Sequence, residues 1–122
     1  VRISELTWDG PPPIDGYGGG GFRLAGVFRP GGLLLTPAAA ADWRVGAAPG
    51  EADFAPVIAE ADAIDVLLVG MGTEIAFLDA GARSALEAAG IGVEVMSTGS
   101  ACRTYNVLLS EGRRVAAALI AV

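Results

Sequence analysis

Between Ile64 and Val122 the chain alternates two kinds of hydrophobic pattern, and this alternation constrains the fold more than any other feature. The run "IDVLLVG" is mostly apolar and bounded by Asp65 and Gly70, as expected of a strand covered on both faces. "DAGARSALEAAG" follows, with Leu78, Ala82, Ala85, Leu86 and Ala89 on one helical face and an Arg83/Glu87 pair at i,i+4 on the other. Asp79 is placed to cap this helix and Gly90 to end it. "IGVEVM" predicts the next strand, residues 97–112 the next helix and "RVAAALIAV" the last strand. Strand, helix, strand, helix, strand is the order of an α/β protein. The expectation is a three-layer single domain over residues 1–122, with a central mixed β-sheet and flanking helices.

The first part of the chain reads as strands and turns, and predicts an N-terminal β-hairpin. After the Gly-rich turn, Phe22, Leu24, Gly26 and Phe28 alternate with Arg23, Ala25 and Val27, which predicts a strand from Gly21 to Phe28. "RPGG" is a turn, and "LLLTP" leaves it as the second strand of the hairpin. Around Trp43 and Val45, with Asp42 and Arg44 between and beside them, the alternation of a short strand returns. "EADFAPVIAEAD" predicts a modest helix with Asp53 as N-cap, Pro56 in the first turn, and Phe54, Val57, Ile58 and Ala61 on one face.

What the chain lacks narrows its chemistry. It has no His, no Lys and no Gln, and Cys102 is its one cysteine. Without His, the Ser-His-Asp triad and the Cys-His dyad are excluded. Without Lys, so are the P-loop and an internal Schiff base. One cysteine permits no internal disulfide, and with no His it excludes the usual zinc sites. The net charge of −6, with eight arginines scattered among fourteen carboxylates, argues against nucleic acid as a partner. No uncharged apolar run reaches the roughly 18 residues of a membrane-spanning helix. "VRISELTWDG" lacks the apolar centre of a signal peptide. A cytoplasmic, soluble protein is the expectation, either a monomer or a weak homodimer.

Two stretches carry the candidate sites. "STGSACRTYN", residues 97–106, opens a helix that Ser97 or Thr98 can cap. At 100° per residue, Ala101, Cys102, Tyr105, Leu108 and Leu109 share the core-facing arc, while Arg103, Asn106 and Ser110 share the opposite one. Cys102 thus reads as a small buried hydrophobe rather than a nucleophile. Val107 emerges among the polar residues, and Glu111 is expected to pair with Arg113 or Arg114. The second stretch is "VGMGTEIA", residues 69–76. A strand ending in Gly70-x-Gly72 is part of the dinucleotide fingerprint, with Glu94 at the end of the next strand as a possible ribose ligand. Ile75 stands where the third Gly or Ala belongs, so a tight turn is the plainer account. Pairs such as Asp62 with Asp65, or Glu74 with Asp79, are common in so acidic a chain and diagnose no chemistry.

The run Ala101, Arg103, Thr104, Tyr105, Asn106, Leu108, Glu111 and Arg113, together with the Gly70-x-Gly72 turn and Trp43, resembles the Mth-domain family of unknown function. Met71 departs from the Thr or Cys more usual inside that turn. The family includes the adipogenesis-associated Mth-domain-containing protein and mitochondrial complex I assembly factor 3. The resemblance implies one α/β domain, no established enzyme activity and no cofactor. The expectation is a non-enzymatic protein-binding or assembly-factor-type protein, with no catalytic residue and no metal. Gly70, Gly72, Thr73, Arg103, Asn106 and Val107 would hold its protein partner. The alternative is a small-molecule-binding protein or enzyme using the Gly70–Glu74 turn, with Glu74, Asp79 or Glu94 as acid or base.

Overall fold

The computed structural model describes residues 11–122, so the signal-peptide reading of residues 1–10 lies outside the described residues. In chain order the strands are β1 (Ile14–Gly18), β2 (Gly21–Leu24), β3 (Val27–Pro30), β4 (Leu33–Leu35), β5 (Ala40–Asp42), β6 (Val66–Gly70), β7 (Gly92–Met96) and β8 (Val115–Leu119). The helices are α1 (Ala55–Ile58), α2 (Ala80–Ala88) and α3 (Thr98–Ser110). Five strands form a mixed sheet in the order β5-β4-β8-β6-β7, and β1-β2-β3 form a smaller antiparallel sheet.

Strands β6, β7 and β8 are parallel, and β4 runs antiparallel to β8. β7 lies on one side of β6 and β8 on the other. Because parallel crossovers keep one hand, reversing direction across the sheet sends the two connecting helices to opposite faces. Side-chain packing shows this. On one face Leu67, Val69, Ala116 and Ala118 meet Leu86 and Ala82 of α2, with Trp43, Phe54 and Val57 alongside. On the other, Leu68, Val115, Ala117 and Leu119 meet Ala101, Cys102 and Tyr105 of α3 and Ile14, Phe22 and Leu24 of the smaller sheet. Every residue of β8 is buried. The alternation expected of a two-faced central strand is complete, and the three-layer α/β architecture with its mixed sheet stands as read from the sequence.

The caps were largely legible. Asp79 Oδ2 accepts the Ala82 N–H at 2.9 Å, and Gly90 ends α2 with φ +89°. Ser97, rather than Thr98, caps α3 by accepting the Ser100 N–H. Arg83 and Glu87 approach to 3.6 Å across one turn.

Four local expectations are corrected. The predicted Gly21–Phe28 strand is itself a hairpin: Ala25 and Gly26 take φ +50° and +80°, and Leu24 pairs with Val27. Two successive positive φ angles suit the twist of a tight hairpin, but Ala at the first of them gives no warning of it. The "LLL" run is then β4, which leaves the hairpin for the large sheet, pairing Leu34 with Ala118. Asp53 is not the N-cap of one helix over residues 51–62. Gly50 caps a single 3-10 turn (Glu51–Phe54), and the Asp53 carboxylate reaches back to accept the Gly50 N–H at 2.8 Å. Further short turns follow at α1 and Ala61–Ala63.

The strand expected at residues 42–45 ends at Asp42. Trp43 is nonetheless buried against Phe54, with ring centroids 5.4 Å apart, and its indole N–H donates to the Asp53 carbonyl at 2.9 Å. Finally, Arg114 pairs with Asp65 instead of Glu111, through bonds of 2.7 and 3.2 Å to the two carboxylate oxygens. The start of β6 is paired beside the chain entering β8, with the Asp65 N–H on the Arg114 carbonyl, and this brings the two side chains together.

Candidate functional site

Since β6 sends its chain to one face and β7 to the other, a crevice opens between their C-terminal ends, the place where open α/β sheets bind ligands. A cavity of about 260 Å³ lies there, lined by Gly72, Thr73, Ser97, Gly99, Arg103, Tyr17 and Val122. Of the residues expected from sequence, Gly72, Thr73 and Arg103 meet at this cavity. Tyr17, which the sequence reading passed over, forms part of its wall. A polar aromatic ring inside a Gly-rich run, with nothing local to pack on, was the available signal.

Below the cavity the turn is stapled to α3. Buried Thr98 accepts the Gly72 N–H at 2.9 Å through Oγ1, and the same hydroxyl donates to the Ile120 carbonyl at 2.7 Å. The Thr98 N–H donates to the Gly72 carbonyl at 2.8 Å. Gly70 does not line the cavity and makes a close contact instead: a Cβ there would stand 2.9 Å from the Thr98 Cα. The backbone groups of Gly72 are therefore spent within the protein. The next helix, α2, starts only at Ala80, so its N-terminus does not follow the Gly-x-Gly turn as a dinucleotide fingerprint requires.

Arg103 stands at the rim. Its Nη1 donates to the Tyr17 hydroxyl at 2.8 Å and its Nη2 to the Ser100 hydroxyl at 3.4 Å. Among the described residues no carboxylate pairs with it. Tyr17 in turn closes over Gly99, where a Cβ would stand 2.7 Å from the phenol oxygen. Asn106 does not join this group. Its Oδ1 accepts the Ile14 N–H and its Nδ2 donates to the Ile14 carbonyl, both at 2.8 Å. Val107 lies one turn beyond Arg103 on α3 and is 54% exposed.

The candidate acid–base residues and the thiol lie away from the cavity wall. Glu74 and Glu94 are exposed, Asp79 is engaged as a cap, and none of the three lines the cavity. Cys102 is buried under α3, and burial pushes its thiol up to about 11, against a smaller opposing pull from Arg103. Among the described residues no group of three His, Cys, Asp or Glu side chains could hold a metal. A larger cavity of about 490 Å³ lies between β3 and the Trp43 segment, but Arg29 and Asp42 in its wall neutralise each other at 3.1 Å. Among the described residues no helix is long and apolar enough to cross a membrane.

The chain matches known proteins along nearly its whole length. It is 53% identical over 116 residues to an uncharacterized protein of Rhodobacter capsulatus, covering 95% of this chain and 90% of that one. It is 36% identical over 126 residues to mouse NADH dehydrogenase (ubiquinone) 1 alpha subcomplex assembly factor 3, covering 98% of this chain and 67% of that protein. A crystal structure described as an outer membrane protein from Bartonella henselae superposes with a TM-score of 0.90 at 42% identity, over 95% of this chain and 99% of that chain. A solution structure from Bordetella pertussis described as a Mth938-like domain does so at 0.68 and 28% identity, over 89% and 85%. A family model, "Protein of unknown function (DUF498/DUF598)", matches residues 14–120. The family implied by residues 101–113 and the Gly70-x-Gly72 turn is thereby established, and the chain belongs to the DUF498/DUF598 family of proteins of unknown function.

Proposed function

We propose that this protein is a cytoplasmic, single-domain assembly factor that binds another protein without catalysis, metal or cofactor. Its docking face is the outer side of α3, where Arg103 and Val107 stand, together with the Gly72–Thr73 turn and Tyr17. One observation carries the reading. The Arg103 guanidinium is oriented by two neutral hydroxyls and left without a carboxylate among the described residues, at the mouth of the switch-point cavity. A planar cation held in this way is prepared for a carboxylate supplied from outside. The mouse relative, which carries assembly factor in its name and aligns with 98% of this chain, supports the same reading. Asn106 is reassigned from recognition to holding β1. The small-molecule alternative keeps its cavity, but none of the carboxylates it would use for acid–base work is in the cavity wall.

The test compares affinity capture from native lysate by the wild type and by an Arg103→Ala/Val107→Asp variant whose fold is verified by circular dichroism. A protein retained by the wild type and lost from the variant is the expected outcome. Identical capture by both would remove this face from consideration.

A further inference from the structure

A second surface emerges at the free edge of the large sheet. β7 is its last strand and pairs only with β6 among the described residues. The Gly92 N–H donates to the Asp65 carbonyl and the Met96 carbonyl accepts the Met71 N–H, so these two residues turn their backbone groups toward β6. In a parallel pair successive residues alternate in this respect. Glu94 therefore also faces β6, while the N–H and C=O groups of Val93 and Val95 point outward. Four backbone hydrogen-bonding groups stand at the edge in the order that an added strand requires.

Among the described residues nothing blunts this edge except one charge. It carries no proline or lysine, the usual guards. Glu94 projects from its middle and is exposed. Beyond the end of the sheet where Gly70 pairs with Met96, the loop from β6 to α2 leaves Ile75 75% exposed and Phe77 wholly exposed. A guard against association would not be accompanied by a phenylalanine in water. A free strand edge, with exposed apolar side chains in the loop that leaves the neighbouring strand at the same end of the sheet, offers what an extended peptide uses.

The charge selects among occupants. If β7 paired antiparallel with a second copy in the register of greatest overlap, the two Glu94 side chains would lie directly opposite one another. Like charges so placed destabilise a sheet pair, and each chain brings a net charge of −6. A basic extended segment meets the opposite condition. We propose that the β7 edge accepts, by strand addition, an extended segment of another protein, with an arginine or lysine opposite Glu94 and an apolar residue reaching Phe77. The proposal rests on the protein-binding reading above but uses a different surface. Failure at Arg103 and failure at β7 are therefore separable.

The probe is a blocked synthetic peptide of alternating valine and arginine ending in phenylalanine, titrated into the labelled protein and followed by amide NMR. Expected are shifts confined to β7 and the 73–77 loop, with Val93 and Val95 amide exchange slowed more than tenfold. Val95→Pro removes an outward N–H without touching the β6 ladder and should weaken binding more than tenfold. Should Val95→Pro fail to fold, the same peptide N-methylated at alternate residues removes the bonds from the other side and should lose binding equally. Glu94→Arg should reverse the preference toward a valine–glutamate peptide. Binding that survives both blocks, or no binding at millimolar peptide, overturns the proposal. A wild-type dimer dissociated by Val95→Pro would also overturn it, by identifying a second copy as the occupant.

Discussion

Asn106 on α3 holds both backbone polar groups of Ile14, accepting its N–H and donating to its carbonyl at 2.8 Å each, so one side chain pairs with β1 as a neighbouring strand would. It is the one asparagine in the chain, and the amide is the side-chain group that offers a donor and an acceptor in this arrangement.

Replacing it should loosen the smaller sheet from α3. Asn106→Ala is expected to cost about 2–3 kcal/mol, two part-buried hydrogen bonds with their backbone partners left unsatisfied. Asn106→Asp should not rescue, because its second oxygen would face the Ile14 carbonyl. Urea unfolding together with exchange of the Ile14 amide checks this. An unchanged midpoint and a still-protected amide would count against the pairing.

Thr98 fastens the Gly72 turn to both α3 and the chain leaving β8. Thr98→Val keeps the shape and removes the hydroxyl, and should cost on the order of 2–4 kcal/mol by orphaning the Gly72 N–H and the Ile120 carbonyl. Thr98→Ser keeps the hydroxyl and should cost far less. If thermal unfolding ranks the two variants equally, the hydroxyl is not the fastening group.

Gly70→Ala tests the close contact beside it. The added methyl meets the Thr98 backbone at 2.9 Å and Leu119 Cδ2 at 3.0 Å, with backbone on one side unable to yield cheaply. A loss of about 1–3 kcal/mol is expected for such overpacking. Equal or greater stability in a denaturant titration would show that α3 can shift aside.

Alkaline pH should destabilise the fold through two buried acids. Burial pushes Cys102 from 9.0 to about 11 and Tyr105 from 10.0 to about 12. Folded-state values raised above the unfolded ones mean that the contribution of these groups is full below about pH 9 and falls as pH rises toward 11 and 12. Cys102→Ala should shallow the first part of that decline. By the same burial, iodoacetamide at pH 8 should label native Cys102 about a hundredfold more slowly than an unfolded thiol. Equal rates would contradict the packing of α3.

The Arg114–Asp65 pair makes a contrasting case. The guanidinium hydrogen bond holds the Asp65 carboxyl below its usual value, outweighing desolvation. A depressed carboxylate contributes above its unfolded pKa and loses that contribution as pH falls through the folded one. Both side chains are more than half exposed and screened by solvent, so Arg114→Ala should leave the urea midpoint nearly unchanged at neutral pH. A larger loss, measured at low and high salt, would mean that the bond to the Asp62 carbonyl matters more than the ion pair.

The sequence by itself determined the βαβαβ half, its caps and its buried faces. Those depend on periodicity and on bonds between residues a few positions apart, as at Asp79 with Ala82 and Ser97 with Ser100. It also determined which side chains these residues can bring to a site, because folding rearranges side chains but adds none. What only the tertiary structure decided was the partner of each polar group at long range. Asn106 and Ile14 lie 92 positions apart, Arg103 and Tyr17 86, and no periodicity links them. Asn106 was read as facing a partner because helical phase says only that it leaves the core stripe, and a second sheet waits there. The hairpin was misread for the same reason. "LLL" could pair equally well with the strand before it or with β8, and only the completed sheet, in which β4 lies between β5 and β8, decides between them.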